Sequence, residues 1–405
     1  MISLLYILLG GCGYTVIAKL AKDYYHPSAI LVLLWFLSSS LASFEPFYNK
    51  QLQNSLSFDA HVSIVVAGAS LFFPAFFLSF VSKPRNRYSF FKPNGLYSYC
   101  LNGSMLIAIF VFFVRFKSQI FMPTLFVSGI SDVKSAVPDG IPFLHYFDLL
   151  TPFLAVSALH RLLFCNKTNS LNFVLLLSFI FFSILTIVLY KVSRGELLVI
   201  ILGSLYLFYA KYQFSILKVF TLFLFVVSIF LFFTYLRVSE AGMVAGYLGD
   251  GAWMIFSPVY TYVAINFENF NKLTLVDNFQ YTHYVATLKF AINPFYPDLY
   301  DPNTGVVKDF STLFFNARPF LYYFYHDLGV FGVGLFSFFI SIFVKLIYIA
   351  STQDSKYCLM VAFMQKAIFF IFFGNYFFGD LVLVFPYLFC FFLIILMYRR
   401  VRFFH

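Results

Sequence analysis

The feature that most constrains this chain is a succession of apolar runs of about 17 residues or more, separated by short connections that collect the Lys and Arg residues. A run of that length crosses hydrocarbon as a helix, because only a helix pairs its own backbone N–H and C=O groups where no water can reach them. Such runs lie near 2–18, 28–44, 62–81, 97–114, 143–164, 171–190, 196–210, 216–236, 320–349, 357–374 and 378–398. They predict an all-α, polytopic integral membrane protein with about eleven transmembrane helices in one domain spanning residues 1–405. The run at 196–210 is short. The run at 320–349 is too long for one straight crossing, so it should begin with a broken turn near Pro319 and cross from about Leu328. Composition excludes a water-soluble alternative. Hydrophobic residues make up 61% of the chain and charged residues 11%, with mean hydropathy +0.85, whereas soluble domains carry about 25% charged residues.

Net charge is +10, but no basic run is long enough for a nucleic-acid surface, and the cations sit at span ends. Counting alternate connections puts fifteen Lys and Arg on one side, in short segments, and eleven on the other. Five of the eleven lie in or at the ends of one long connection, which crosses largely regardless of its charge. The richer side is expected to be cytoplasmic, with the N-terminus outside and the C-terminus inside. The segment Arg237 to Arg318, 82 residues between spans eight and nine, then becomes one large extracytoplasmic (periplasmic) loop. Within it, 252–265 reads as a helix lying in the interface, and Asn293–Asp298 as an aromatic, proline-rich stretch. Leu9-Gly10-Gly11-Cys12 loosely resembles a lipoprotein cleavage box, but the apolar run continues to Val16. It reads better as a first span with a small-residue packing face. The five cysteines show no disulfide or metal-ligand spacing and read as small core hydrophobes.

Charge at outer span ends is scarce, so each such residue is a candidate. Ser193-Arg194-Gly195-Glu196 opens the seventh span. An Arg there opposes the helix dipole but would hold an anion drawn to the same N-terminus. Arg237 closes the eighth span. Arg318 precedes Pro319, and eleven residues later, on nearly the same helical face, comes Gly329. His326 and Asp327 lie inside that apolar run, where ionisable groups are costly and usually functional. In the loop, His283, Lys289, Asp298, Asp301 and Asp309 are further candidates. Trp253, Tyr260, Tyr281, Tyr284, Tyr296 and Tyr300 could stack on sugar rings or form an interfacial belt. Asp148 and Asp380, near outer span ends, are ambiguous. HExxH, P-loop and dinucleotide motifs are absent, as is the Asp-x-Asp that many nucleotide-sugar transferases use to hold a metal.

Three stretches resemble the bacterial oligosaccharide repeat-unit polymerases, the O-antigen or Wzy-type family. They are Ser193-Arg194-Gly195 at an outer helix start, Tyr260–Phe267 in the large loop, and Arg318-Pro319-Phe320 followed by Tyr325-His326-Asp327-Leu328-Gly329. The likeness covers about 190 to 350, with Asp327-Leu328-Gly329 where Asp-Phe-Gly is usual. It implies a glycosyltransferase on the outer face of the bacterial inner membrane. Such an enzyme moves a glycan from undecaprenyl diphosphate to the sugar of an incoming lipid-linked repeat unit, without metal or cofactor. Arg194, Arg237 and Arg318, with Lys289 and Tyr323, would bind the diphosphate. His326, Asp327 or His283 would be the base. The implied partners are the lipid-linked donor and acceptor, membrane lipid and a chain-length regulator, with no nucleic acid. The rivals are an O-antigen ligase using the same carrier and a flippase for the lipid-linked unit. The lack of an internal repeat and the gathering of charge at the outer face weigh against the flippase.

Overall fold

The computed structural model describes residues 2–44, 53–81, 94–127, 137–140, 144–165, 169–215, 253–276, 279–301, 305–307, 310 and 317–397, together with positions 218, 221, 224 and 228. The described residues form helices and connections, with no strand among them. The longer helices are α1 (Ile2–Ala21), α2 (Pro27–Ala42), α3 (Phe58–Val81), α4 (Gly95–Arg115), α5 (His145–Phe164), α6 (Ser170–Leu185), α7 (Arg194–Tyr212), α8 (Trp253–Thr274), α9 (Tyr322–Gln353), α10 (Tyr357–Phe369) and α11 (Leu381–Leu396). Among the described residues, seven stretches are long and apolar enough to cross a membrane: α1, α3, α4, α5, α6 with its π-helical continuation Thr186–Lys191, α7 and α9. Helices α2, α10 and α11 are apolar but shorter. Of the expected span at 216–236, positions 218, 221, 224 and 228 are described and are helical; the rest of it, and Arg237, lie outside the described residues. The seventh span is longer than its apolar core suggested, because Ser193 caps it and polar residues extend both of its ends.

The chain forms two compact units. The first takes in α1, α2, α3, α8, the 279–301 segment and most of α9. Gly10 and Gly13 of α1 face α2, where an added Cβ would lie 3.0 Å from Phe36 Cβ and 2.9 Å from Val32 Cγ1 respectively. This is the small-residue packing face expected of the first helix. Trp35 of α2 is fully buried. Its indole N–H donates to the Ile64 carbonyl at 3.0 Å, and its ring meets Phe267 and Phe320 at 5.4 and 5.0 Å. One aromatic thus ties α2, α3, α8 and the approach to α9 together.

Helix α8 corrects a sequence expectation. The helix expected at 252–265 continues to Thr274, and its polar C-terminal half (Asn266, Glu268, Asn269, Asn271) is buried in protein. Both Glu268 carboxylate oxygens accept from Asn54, through its backbone N–H and its side-chain amide at 3.0 Å each. Asn271 accepts from the Ser57 N–H at 2.7 Å and donates to the Ser55 carbonyl at 3.1 Å. Hydropathy ended the helix where it turned polar, but its polar groups are satisfied by protein partners.

The second unit holds α4, α5, α6 and α7, with parts of α10 and α11. Helix α5 packs against α4, α6 and α7. Gly203 lets α7 come close to α5, since an added Cβ would lie 3.0 Å from Val156 Cγ2.

Candidate functional site

In the first unit, the candidate residues gather where α9 begins. The helix starts at Tyr322 and is interrupted at Leu328 (φ −140°, ψ 15°) and Gly329 (φ 62°, ψ −148°). The break falls where the over-long apolar run was expected to begin its crossing. Gly329 has a backbone conformation essentially restricted to glycine, and an added Cβ would meet the Tyr281 hydroxyl at 2.9 Å. Gly332 comes against the Phe324 carbonyl across the same break, where a Cβ would collide with it. The break overturns the expectation that Arg318 and Gly329 share one helical face, because no continuous helix joins them.

Asp327 is fully buried, yet its carboxylate is saturated with donors. Thr282 Oγ1 donates to Oδ1 at 2.5 Å, the Ala286 N–H to Oδ1 at 2.9 Å and the Thr287 N–H to Oδ2 at 2.7 Å. The His283 N–H reaches the Asp327 carbonyl at 3.3 Å, and Thr282 N–H reaches that of His326 at 3.1 Å. The neighbouring His326 ring is also buried. Its Nδ1 lies 3.0 Å from Thr282 Oγ1, and it meets the Phe279 ring in a T-shaped contact with centroids 4.8 Å apart. These bonds hold a turn that is strained in itself: His283 (φ 45°) and Tyr284 (φ 74°) are consecutive left-handed residues without being glycine. Three charge-assisted bonds to one carboxylate offset that strain. Of the three candidate bases, Asp327 and His326 are therefore clamp residues, and His283 is the one exposed on the turn.

Arg318 is half-buried, donates to the Tyr323 hydroxyl at 3.1 Å and lies over the Tyr322 and Tyr323 rings at 4.9 and 5.8 Å. Thr287 Oγ1 reaches the Tyr323 carbonyl at 3.4 Å, so Arg318, Tyr323, Thr287 and Asp327 form one connected chain. Lys289 stands 3.9 Å from Asp380 and 5.7 Å from the centre of the Tyr300 ring, with its amine partly exposed. Tyr300 donates to the Val285 carbonyl at 2.5 Å. Burial first, and the Asp327 charge second, push its phenol up to about 12. Tyr260 is likewise engaged, donating to Gln53 at 2.9 Å, whereas Tyr281, Tyr284 and Tyr296 are exposed. Asp298 lies within a 3-10 turn at Pro297–Tyr300, and Asp301 follows it as the cap residue. Asp309 is outside the described residues.

In the second unit, Ser193 caps α7 by accepting from the Glu196 N–H at 3.4 Å, and Arg194 is its first residue. Preceding it, the chain runs through the π-helical turn and Val192 in the left-handed region (φ 44°). Ile187, Val188, Val192, Ser193, Arg194 and Leu197 line a shallow groove there. Glu196 pairs with buried Lys191 at 2.9 Å, and Lys191 also pairs with Asp148 at 2.8 Å, which in turn binds Arg115. A Cβ on Gly195 would lie 3.2 Å from Lys366 Nζ, so the glycine lets that intramembrane amine approach the start of α7 beside Arg194. The sequence marked Asp148 only as an ambiguous charge near an outer span end. It gave no signal for Lys191 or Thr282, whose partners are distant in the chain.

Among the described residues, no three His, Cys, Asp or Glu side chains are grouped to hold a metal ion. Comparison with protein-family models, curated proteins and solved structures gives no match. What the fold itself defines is the class: a helical, membrane-embedded protein with several long apolar helices.

Proposed function

We propose that this chain is a polymerase of lipid-linked oligosaccharide repeat units, acting on the outer face of the bacterial inner membrane with about eleven spans. The glycan's anomeric carbon leaves the diphosphate oxygen of undecaprenyl diphosphate and bonds to a hydroxyl oxygen of the incoming unit. The hydroxyl proton passes to a base, and undecaprenyl diphosphate departs. The observation that carries the reading is the clamped turn. The Asp327 carboxylate holds His283 and Tyr284 in left-handed geometry, and strain retained by such bonding is characteristic of functional segments.

In this reading His283 accepts the proton, and Asp327 and His326 position it. Arg318, oriented by Tyr323, meets the charge developing on the leaving diphosphate, as fixed cations do in such transition states. Arg194, joined by Lys366 at a capped helix start, supplies phosphate-binding cations on the second unit. Lys289 and the exposed Tyr281, Tyr284 and Tyr296 fit sugar and diphosphate contacts. Arg237 keeps the supporting role implied by the resemblance.

Deleting the gene in its own host and running surface lipopolysaccharide on a gel tests this. Core bearing a single repeat unit, restored to a ladder by wild type but not by Arg318→Ala, supports the polymerase. Bare core with polymer left on the lipid carrier indicates a ligase instead. Bare core with unpolymerised units trapped inside indicates a flippase.

A further inference from the structure

Outside the proposed site, the second unit buries a cation that has no counter-charge among the described residues. Arg161, in the last turn of α5, is 3% exposed. Its Nη1 donates to Asn102 Oδ1 at 3.3 Å, and its guanidinium stands 5.9 Å from the centre of the Tyr97 ring. Its Nε is buried with no hydrogen-bond partner, and no carboxylate pairs with it among the described residues. An uncompensated guanidinium is costly at membrane depth, and such residues usually meet a partner.

The sequence near this end offers almost no acid. Segments 85–131, 149–195, 197–239 and 381–405 contain no Asp between them, and no Glu. Asp354 is the acid that does reach this end, where His160 contacts the Ser355 carbonyl at 2.8 Å. It is already paired with Lys356 at 3.2 Å. A second cation, Lys211, lies over the Phe164 ring at 5.4 Å. Among the described residues no acid neutralises Arg161, which points to a counter-charge brought by a ligand.

The geometry shows where it enters. Asn102 of α4, the Arg161 partner, donates to Asn172 of α6 at 3.5 Å, the limit of a hydrogen bond, and both amides are half-exposed. Around them Leu96, Tyr99, Leu171 and Phe173 are exposed apolar side chains, the surface that lipid tails cover. We propose that Arg161, Asn102 and Asn172 form a binding site for a phosphate oxyanion, the group that anionic membrane lipids carry at this depth. The guanidinium fork and the two side-chain amides would donate to the phosphate oxygens. The proposal is independent of the glycosyltransferase reading.

The test uses the full chain, purified in detergent and stripped of lipid. Saturable binding is measured by native mass spectrometry for phosphatidylglycerol, phosphatidylcholine and inorganic phosphate. Wild type is expected to bind phosphatidylglycerol in preference to phosphatidylcholine, and Arg161→Gln to weaken that binding by about tenfold or more. If inorganic phosphate binds with the same dependence on Arg161, the site takes free phosphate, which the proposal also covers. Should Arg161→Gln fail to fold, Asn102→Ala, at a half-exposed position, must show the loss. Phosphatidylglycerol and phosphate binding that neither variant weakens would overturn the proposal.

Discussion

Replacing Asp327 by Asn removes one charge and almost no volume, so it isolates the clamp. The wild-type carboxylate takes three donors, two of them backbone N–H groups of Ala286 and Thr287. An amide has a single acceptor oxygen. With its NH2 at the Oδ2 position it faces the Thr287 N–H, donor against donor. Flipped, it faces the Ala286 N–H instead. Either way one buried N–H loses its partner and the remaining bonds lose their charge, a cost of about 1.5–3 kcal/mol. At about 1.4 kcal/mol per tenfold, local opening of the turn becomes about 10–100 times more frequent. Hydrogen–deuterium exchange reads this directly, because the Ala286 and Thr287 amides exchange only when the turn detaches. Faster exchange over 282–288 is expected, with peptides of α1 and α2 unchanged. If those two amides exchange at the wild-type rate in Asp327→Asn, Asp327 does not hold the turn and the reasoning fails.

Gly329→Ala should destabilise the α9 break by about 1–3 kcal/mol, since the backbone there suits only glycine and the methyl meets Tyr281; thermal unfolding in detergent measures it, and Gly103, with open space around it, is the control. Asp148→Asn leaves Arg115 and Lys191 sharing too little negative charge in a buried network and should cost about 3–5 kcal/mol in the same assay. Arg318→Lys keeps charge but loses the flat guanidinium stacked on Tyr322 and Tyr323; turnover should fall about 10²–10³-fold with folding retained. Tyr300 has its pKa raised on folding. Its contribution to stability is therefore complete below about pH 10 and is lost as pH rises towards about 12. The difference in tyrosinate absorbance between wild type and Tyr300→Phe should titrate near the upper value.

The apolar helices were legible because lipid and protein interior ask the same of a side chain, so runs of hydropathy mark them. The α9 break was legible in part: the run was too long for one crossing, but the broken turn was expected near Pro319, whereas the non-helical residues are Leu328 and Gly329. Helix α8 was legible only in part, since hydropathy cannot tell a polar helix in water from one whose Glu268 and Asn271 are satisfied by the 54–57 segment. Arg318, His326 and Asp327 stood out as ions beside or within an apolar run. Their division of labour did not, because it rests on Thr282, 45 residues before Asp327. The Lys191–Asp148 pair, 43 residues apart, was hidden in the same way. Arg161 read as one more cation at a span end, and only the packed structure shows that nothing in the described chain neutralises it.

The central claim is tested most directly by reconstituting the purified protein in liposomes with an undecaprenyl-diphosphate-linked oligosaccharide and following both products. The account expects longer lipid-linked glycan and free undecaprenyl diphosphate to appear in equal amounts, and neither with Arg318→Ala. Lipid-linked oligosaccharide that crosses the bilayer with its glycosyl–phosphate bond intact, or remains unconsumed by folded protein, would contradict it.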